Sequence, residues 1–291
     1  IIIRLIFRKG IHFLKLKKLI FYPKEITSLL SIINNDIKNS KTIYKNKFIF
    51  PYNLSIELAS QNFILKGPNS WHEKFIDIEN FNALHRWNWL LKKPNASNNL
   101  IKYETGINLV YSWLNFYQDN ASKEVDQTYN ISERICNFLF FYTYSERKWS
   151  EIPKNVEKYI LLMLKKISND LEINSNKLTG NHILNNSRAL IIAGEILNKK
   201  EYSNLGLKLL KHYIPQLITD DGFLNEGSSH YQFLITRWIL DIEIIVSRSK
   251  NIEVLNFLNN LIPNMIKSCN LFIINNNRTR SISLIGDISP D

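Results

Sequence analysis

"LTGNHILNNSRALIIAG", Leu178–Gly194, opens like a helix start and continues as an apolar helix, yet Asn181, His182, Asn185 and Asn186 crowd its first turns. Asn185 and Arg188 follow Asn181 at i+4 and i+7, which predicts a polar stripe on one helix face. A helix start gathers unpaired backbone N–H groups and the positive end of the peptide dipoles, so it favours an anion. Asn181 and His182 beside that end suit a carboxylate. The alternative is an ordinary N-cap Asn followed by a hydrogen-bonded His at the edge of the core.

The helical pattern recurs outward from this stretch in both directions. "TGINLVYSWLNFYQD" carries a stripe of Leu109, Val110, Trp113, Leu114 and Tyr117, and "NISERICNFLFFYTYS" one of Ile131, Ile135, Cys136, Phe138 and Leu139. "VEKYILLMLKKISNDLE" precedes the opening stretch. "YSNLGLKLLKHYIPQLI", interrupted by Pro215, "SSHYQFLITRWILDIEIIVSRS" and "NIEVLNFLNNLIPNMIKSCNLFI" follow it. Helices of about 12–20 residues on short polar links, without convincing strand alternation, predict an all-α fold. No fixed period marks a short-repeat solenoid. Helical hairpins closing into an incomplete α/α toroid are one way to arrange so many paired helices. Residues 1–100 read differently, being aromatic-rich and punctuated by Pro and Gly, with β-like pieces at Phe48–Phe50 and Asn62–Leu65. No polar linker sets them apart. They are expected to form an irregular lead-in packed on a helical domain of residues 101–291.

The chain has 291 residues, 45% of them hydrophobic, which suffices for a sizeable core. Its formal charge of +11 favours polyanions, namely nucleic acid, anionic lipid or acidic polysaccharide; a Lys-rich solvated exterior is the plainer account. The aromatics do not interleave with Lys as nucleic-acid binding requires, so no nucleic-acid partner is expected. No apolar run reaches the ~18 residues of a spanning helix. Cys136 and Cys269 read as core filling. The six His show no metal-ligand spacing. There is no phosphate loop, dinucleotide fingerprint, Gly-x-Ser-x-Gly elbow or zincin motif, and neither metal nor cofactor is expected. The opening "IIIRLIFRKGIHFLKLKKLIFYPKE" is basic and amphipathic but lacks the small-residue cleavage site of a secretory signal. If complete, it places the chain in the cytoplasm or periplasm. Without an initiator Met, the chain is expected to begin inside a longer protein. Its end, "RSISLIGDISPD", reads as a truncation.

Two further stretches carry candidate chemistry. In "DDGFLNEGSSHYQ" a turn leads into a helix capped by Ser228 or Ser229, and Glu226, His230 and Tyr231 gather at its start. A Tyr acts as general acid or base where its surroundings lower its pKa, and His230 is a candidate partner for Tyr231. A capping Ser beside one buried aromatic is the alternative. In "TYNISERICNF", Arg134 and Asn137 stand at i, i+3, and Arg suits bidentate recognition of a carboxylate. The alternative for Arg134 is a solvent-facing ion pair with Glu133 or a neighbouring helix.

Taken in order, four segments resemble the heparinase II/III-like family of polysaccharide lyases, including members found among bacterial surface-polysaccharide genes. "FNALHRWNWLLKKP" (residues 81–94) is similar to the family's Trp-Arg-Tyr-Asn-Leu-type segment. "TYNISERICNFLFF" is similar to Pro-Tyr-Pro-x-Ser-Leu-Arg-x-x-Asn-Trp, "LTGNHILNNSRALIIAG" to Gly-Asn-His-Leu-Leu-x-Asn-x-x-Ala-Leu, and "DDGFLNEGSSHYQFLI" to Asp-Gly-Gly-His-Phe-Glu-x-Ser-Pro-x-Tyr-His. The resemblance implies cleavage of an acidic, uronate-containing polysaccharide by β-elimination. By the same resemblance, Asn181 and His182 hold the uronate carboxylate and Tyr231 delivers a proton to the leaving oxygen. Arg134, Asn137 and Glu226 match cleft positions, and Asn185, Arg188 and His230 extend the substrate-binding set. The sequence departs from the family pattern at His230 and Gln232, and lacks prolines before Tyr231 and around Tyr129. A C-terminal β-sandwich, found in many members, is expected to be missing from this chain. Two other readings stay open: an inactive glycan-binding or assembly protein, and a toroid glycoside hydrolase pairing Glu226 with Asp221 or Glu133.

Overall fold

The structure is a computed structural model that describes residues 22–35, 46–93, 100–173, 179–276 and 279–288. Leu178, Pro94, the opening residues 1–21 and the closing residues 289–291 lie outside the described residues, with the expectations that rest on them. Helix α1 (Lys24–Asn35) is followed by an antiparallel hairpin of β1 (Leu54–Glu57) and β2 (Asn62–Leu65), in register from Leu54↔Leu65 to Glu57↔Asn62. Then come α2 (Ile78–Arg86), α3 (Tyr103–Asn120), α4 (Thr128–Tyr144), α5 (Lys154–Asn169), α6 (His182–Ile196), α7 (Lys200–Leu217), α8 (Ser229–Ser249) and α9 (Ile252–Asn270). A second hairpin, β3 (Ile273–Asn276) with β4 (Thr279–Ile282), follows.

The architecture is the all-α, toroid-like one that the helical hairpins predict. Helices α4, α6 and α8 run side by side in the same direction. Tyr129 meets His182, Ser132 meets Asn186 and Glu133 meets Arg188, so contacts climb α4 and α6 together. Asn181 meets Glu226 where α6 and α8 begin, and Arg188 meets Asp241 further along. Helices α5 and α7 connect them in sequence, and α9 packs back on α8. Burial explains this order. Every residue of α4 from Thr128 to Thr143 is buried, and α6 is buried nearly throughout. The polar side chains on these two helices are paired inside, Glu133 with Arg188 and Ser132 with Asn186, whereas α5 and α7 each keep a polar face for the exterior.

Two glycines set how closely α6 and α7 approach. A Cβ at Gly194 would lie 2.6 Å from the Ser203 nitrogen, and one at Gly206 would lie 2.8 Å from the Ser187 oxygen. That contact offsets the ~1 kcal/mol glycine costs inside a helix. Pro215 does not interrupt its helix as expected. It sits in the last turn of α7, where it removes only its own N–H bond and the helix ends two residues later.

The lead-in is tied to the helical body by aromatic rings. Trp71 stacks on Trp89 at 5.8 Å and donates from Nε1 to Ser112 Oγ at 2.9 Å. Helix α1 lies across α5 and α7, with Tyr22 donating to the Leu171 carbonyl. Asn62–Leu65 is a strand, but Phe48–Phe50 is not. The Ile49 amide donates to Asn108 Oδ1 of α3, and β2 pairs instead with Leu54–Glu57. The last expected helix also stops earlier. Backbone bonds from Leu271 and Phe272 to Ser268 and Cys269 close α9, and the β-branched Ile273 and Ile274 enter β3.

Candidate functional site

A groove of about 490 Å³ opens where the lead-in meets α4, α6 and α8. Helix α2 delivers its first wall. Asp77 caps α2, and Trp87 ends it in the left-handed region at φ 61°, a costly conformation for a bulky residue. That turn sends the Trp87 indole into the core while Arg86 and Asn88 face the groove. On α4, Tyr129, Glu133 and Asn137 recur at i+4 spacing and form the second wall. Arg188 comes from α6, and Leu234, Arg237 and Asp241 come from α8.

Arg188 knits the floor together. Its Nη1 lies 2.8 Å from Glu133 Oε1, its Nη2 2.7 Å from Asp241 Oδ2, and its guanidinium 5.8 Å from the Trp238 ring centre. Burial pushes the Asp241 carboxyl up, and the Arg188 charge opposes that shift. The hydrogen-bond shell is incomplete: among the described residues, Arg188 Nε and Asn185 Nδ2 have no partner, although both are buried. Asn185 Oδ1 accepts from Arg188 Nη1 at 3.2 Å. Asn137 donates to the Arg86 carbonyl at 3.0 Å and to Asn88 Oδ1 at 2.8 Å. Arg86 bonds Asn130 Oδ1 and Glu79, with its guanidinium 4.8 Å from the Tyr129 ring centre.

Tyr129 leads from the groove to the helix starts. Its ring centre is 4.6 Å from that of His182, the first residue of α6. The expected alternative of Asn181 as an N-cap does not hold, because its side chain makes no capping bond. Asn181 is buried and donates from Nδ2 to Glu226 Oε2 at 2.9 Å. His182 keeps about half its side chain exposed, and its Nδ1 lies 3.0 Å from Glu172 Oε1. Ser228 caps α8 by accepting from the Tyr231 amide at 3.1 Å. Tyr231 is half-buried against the core, one helical turn before Leu234 on the groove wall, and is not itself part of the lining. His230 has its ring 5.4 Å from that of Tyr231, and its buried Nε2 has no hydrogen-bond partner among the described residues.

Arg134 must be corrected. Neither the cleft position nor the solvent-facing ion pair describes it. Its guanidinium is fully enclosed and donates to the His85 carbonyl, to Tyr159 Oη at 2.6 Å and to the Val125 carbonyl at 2.7 Å. The Trp113 ring centre lies 4.4 Å away. Three of its five N–H donors go to buried acceptors, and the enclosed guanidinium leaves no approach for a ligand. Beside it, burial and then the Arg134 charge lower the His85 pKa to about 3. The hydrolase pairing is also corrected. Glu133 is held by Arg188 and Glu226 by Asn181, so neither is a free cleft carboxylate. Tyr129, Arg86, Asp241, Arg237 and Glu172 are site residues that sequence reasoning missed. Tyr129 stands at i−4 from Glu133 and i−8 from Asn137, and that stripe was the available signal. Glu172, Asp241 and Arg237 read in sequence as ordinary solvated charges.

Among the described residues, no group of three His, Cys, Asp or Glu could hold a metal ion, and no helix is long and apolar enough to cross a membrane. No protein-family model matches the sequence, and neither does any curated protein. Among solved structures, the chain is similar to the crystal structure of heparan sulfate lyase HepC from Pedobacter heparinus, with a TM-score of 0.54 and 13% identity. The match covers 86% of this chain and 43% of that one, so this chain spans less than half of its length. At that identity the likeness is one of fold.

Proposed function

We propose that this chain is a polysaccharide lyase-like protein that cleaves an acidic, uronate-containing glycan by β-elimination. The observation that carries the reading is the Asn181 amide, which departs from capping to hold a carboxylate, that of Glu226, at the start of α6. A substrate carboxylate that displaces Glu226 meets the same amide and the same positive helix end. In uronate elimination the C5–H bond breaks, its electron pair forms the C4=C5 bond, and the C4–O4 bond breaks with O4 taking up a proton. Negative charge grows on the carboxylate meanwhile, so a donor such as Asn181 acts where charge develops. Tyr231 supplies the proton to O4 in this scheme. Groove cations, Arg86, Lys92 and Arg237 among them, suit the flanking acidic sugars.

The experiment is a screen of acidic glycans with the full chain, reading the absorbance of the unsaturated uronate. Turnover is expected, with a loss of about 10²–10³ in kcat for Asn181→Ala. Absence of product from every uronate glycan, or a Tyr231→Phe variant as active as the parent, rejects the elimination scheme. Glycan binding without turnover is a second reading. The Glu226 carboxylate already seated on Asn181, and the place of Tyr231 outside the groove lining, favour it. Binding that survives both substitutions while no product forms selects that reading.

A further inference from the structure

We infer that Glu172 is a positioning residue for His182, fixing the imidazole with its proton on Nδ1 so that Nε2 is the atom offered beside Tyr129. Glu172 lies just beyond α5, far from the other groove residues in sequence, yet its Oε1 is 3.0 Å from His182 Nδ1. The carboxylate is itself held. Asn186 Nδ2 donates to Glu172 Oε2 at 3.3 Å, and Asn186 Oδ1 accepts from the Glu172 amide at 3.3 Å. Asn186, fully buried, also donates to Ser132 Oγ at 3.1 Å, and Ser132 donates to the Thr128 carbonyl at 2.8 Å. A chain of hydrogen bonds thus runs from α4 through α6 to the imidazole.

The tautomer follows from donor and acceptor inventory. An ionised carboxylate only accepts, so the neutral imidazole must place its hydrogen on Nδ1 and leave a lone pair on Nε2. Nε2 accepts no hydrogen bond from the described residues. Resting on the elimination reading, this sharpens the part of His182. A neutral Nε2 lone pair is the wrong partner for a carboxylate and the right one for C5–H. His182 Nε2 takes the C5 proton, C4=C5 forms, C4–O4 breaks, and Tyr231 protonates O4. Solvent then takes the proton from His182 and returns one to Tyr231.

Glutamine at 172 cannot serve both neighbours. Either its NH2 faces the Asn186 NH2, or it faces His182 Nδ1 and drives the hydrogen to Nε2. Long-range 1H–15N correlation spectra of the full chain, taken where imidazole is neutral, decide this without any glycan. His182 in the parent is expected as the Nδ1–H form, and Glu172→Gln is expected to shift it to the Nε2–H form or an average. His85 is the internal control for folding: its Nδ1 accepts from Trp113 Nε1 at 3.0 Å, so it must be the opposite tautomer in both proteins. If the Gln variant does not fold, Glu172→Asp, which keeps the charge but withdraws the oxygen, is read the same way. A parent His182 in the Nε2–H form, or a pattern unchanged by both variants, overturns the proposal. On an active glycan, Glu172→Gln should lower kcat by about tenfold or more with little change in KM. An unchanged kcat overturns the catalytic part. If the parent turns over no glycan, the elimination reading falls while the spectra still decide the positioning.

Discussion

The protein buries two arginines on adjacent inner helices, and they do opposite work. Among the described residues, Arg134 on α4 has no carboxylate partner. It is enclosed by Trp113 and Trp87 and spends its donors on two carbonyls and one phenol. Arg188 on α6 is nearly as buried, yet it holds two carboxylates, keeps one nitrogen unbonded and faces the groove. Sequence reading gave both to the substrate. The difference lies in what surrounds each donor. A guanidinium whose bonds all go to fixed neutral acceptors belongs to the fold. One that shares a groove floor with carboxylates, beside an unsatisfied amide, is the one we propose for the ligand.

This contrast can be broken by substitution. Arg134→Met leaves three buried acceptors without donors, each worth about 1–3 kcal/mol, so unfolding by urea should show a loss of about 3 kcal/mol or more, or no folded protein. Near-parental stability would refute the structural role of Arg134. Arg188→Met should cost about 3 kcal/mol at neutral pH by leaving Glu133 and Asp241 buried and unpaired. Unlike the Arg134 variant, it should recover as pH falls. The sign is set by the raised Asp241 carboxyl: a group whose folded pKa lies above its unfolded value stabilises when protonated, and that contribution is lost as pH rises through the folded pKa. A deficit that does not shrink between pH 7 and 5 would contradict this account of the groove floor. A separate, purely pH-dependent effect comes from His85. Its folded pKa of about 3 lies below the ordinary 6.5, so its stabilisation is complete above pH 6.5 and lost as pH falls toward 3. The loss should approach about 1.4 kcal/mol per pH unit within that window. Urea titrations at several pH values should show this slope in the parent and a flatter one in His85→Phe.

What sequence discloses, and what it does not, follows the range of each signal. Apolar periodicity is local, so the inner helices and their order are legible, and Ser228 is recognisable as a cap. The polar residues at the start of α6 are visible too. Register between helices is not local. Nothing near Glu133 in sequence says that it will meet Arg188, or near Glu172 that it will meet His182. Arg134 and Asn137 share a helix and a family-like pattern, yet only Asn137 reaches the groove, because Trp87 of the lead-in and Trp113 of α3 close over the guanidinium. Trp87 hides the other wall: its left-handed turn places Arg86 and Asn88 in the groove, and no residue pattern announces it.

The central claim is that the start of α6 reads a carboxylate through Asn181. The most direct measurement compares one uronate glycan with the same glycan after its carboxyl groups have been reduced to alcohols, using the full chain and following product formation and binding. Turnover is expected of the acidic form alone, because without the carboxylate nothing takes up the charge as C5–H breaks, and reduction should weaken binding by a factor similar to that of Asn181→Ala. Asn181→Ala itself should bind the two forms alike. Equal binding of both glycans by the parent, or binding discrimination that persists in Asn181→Ala, would contradict the claim.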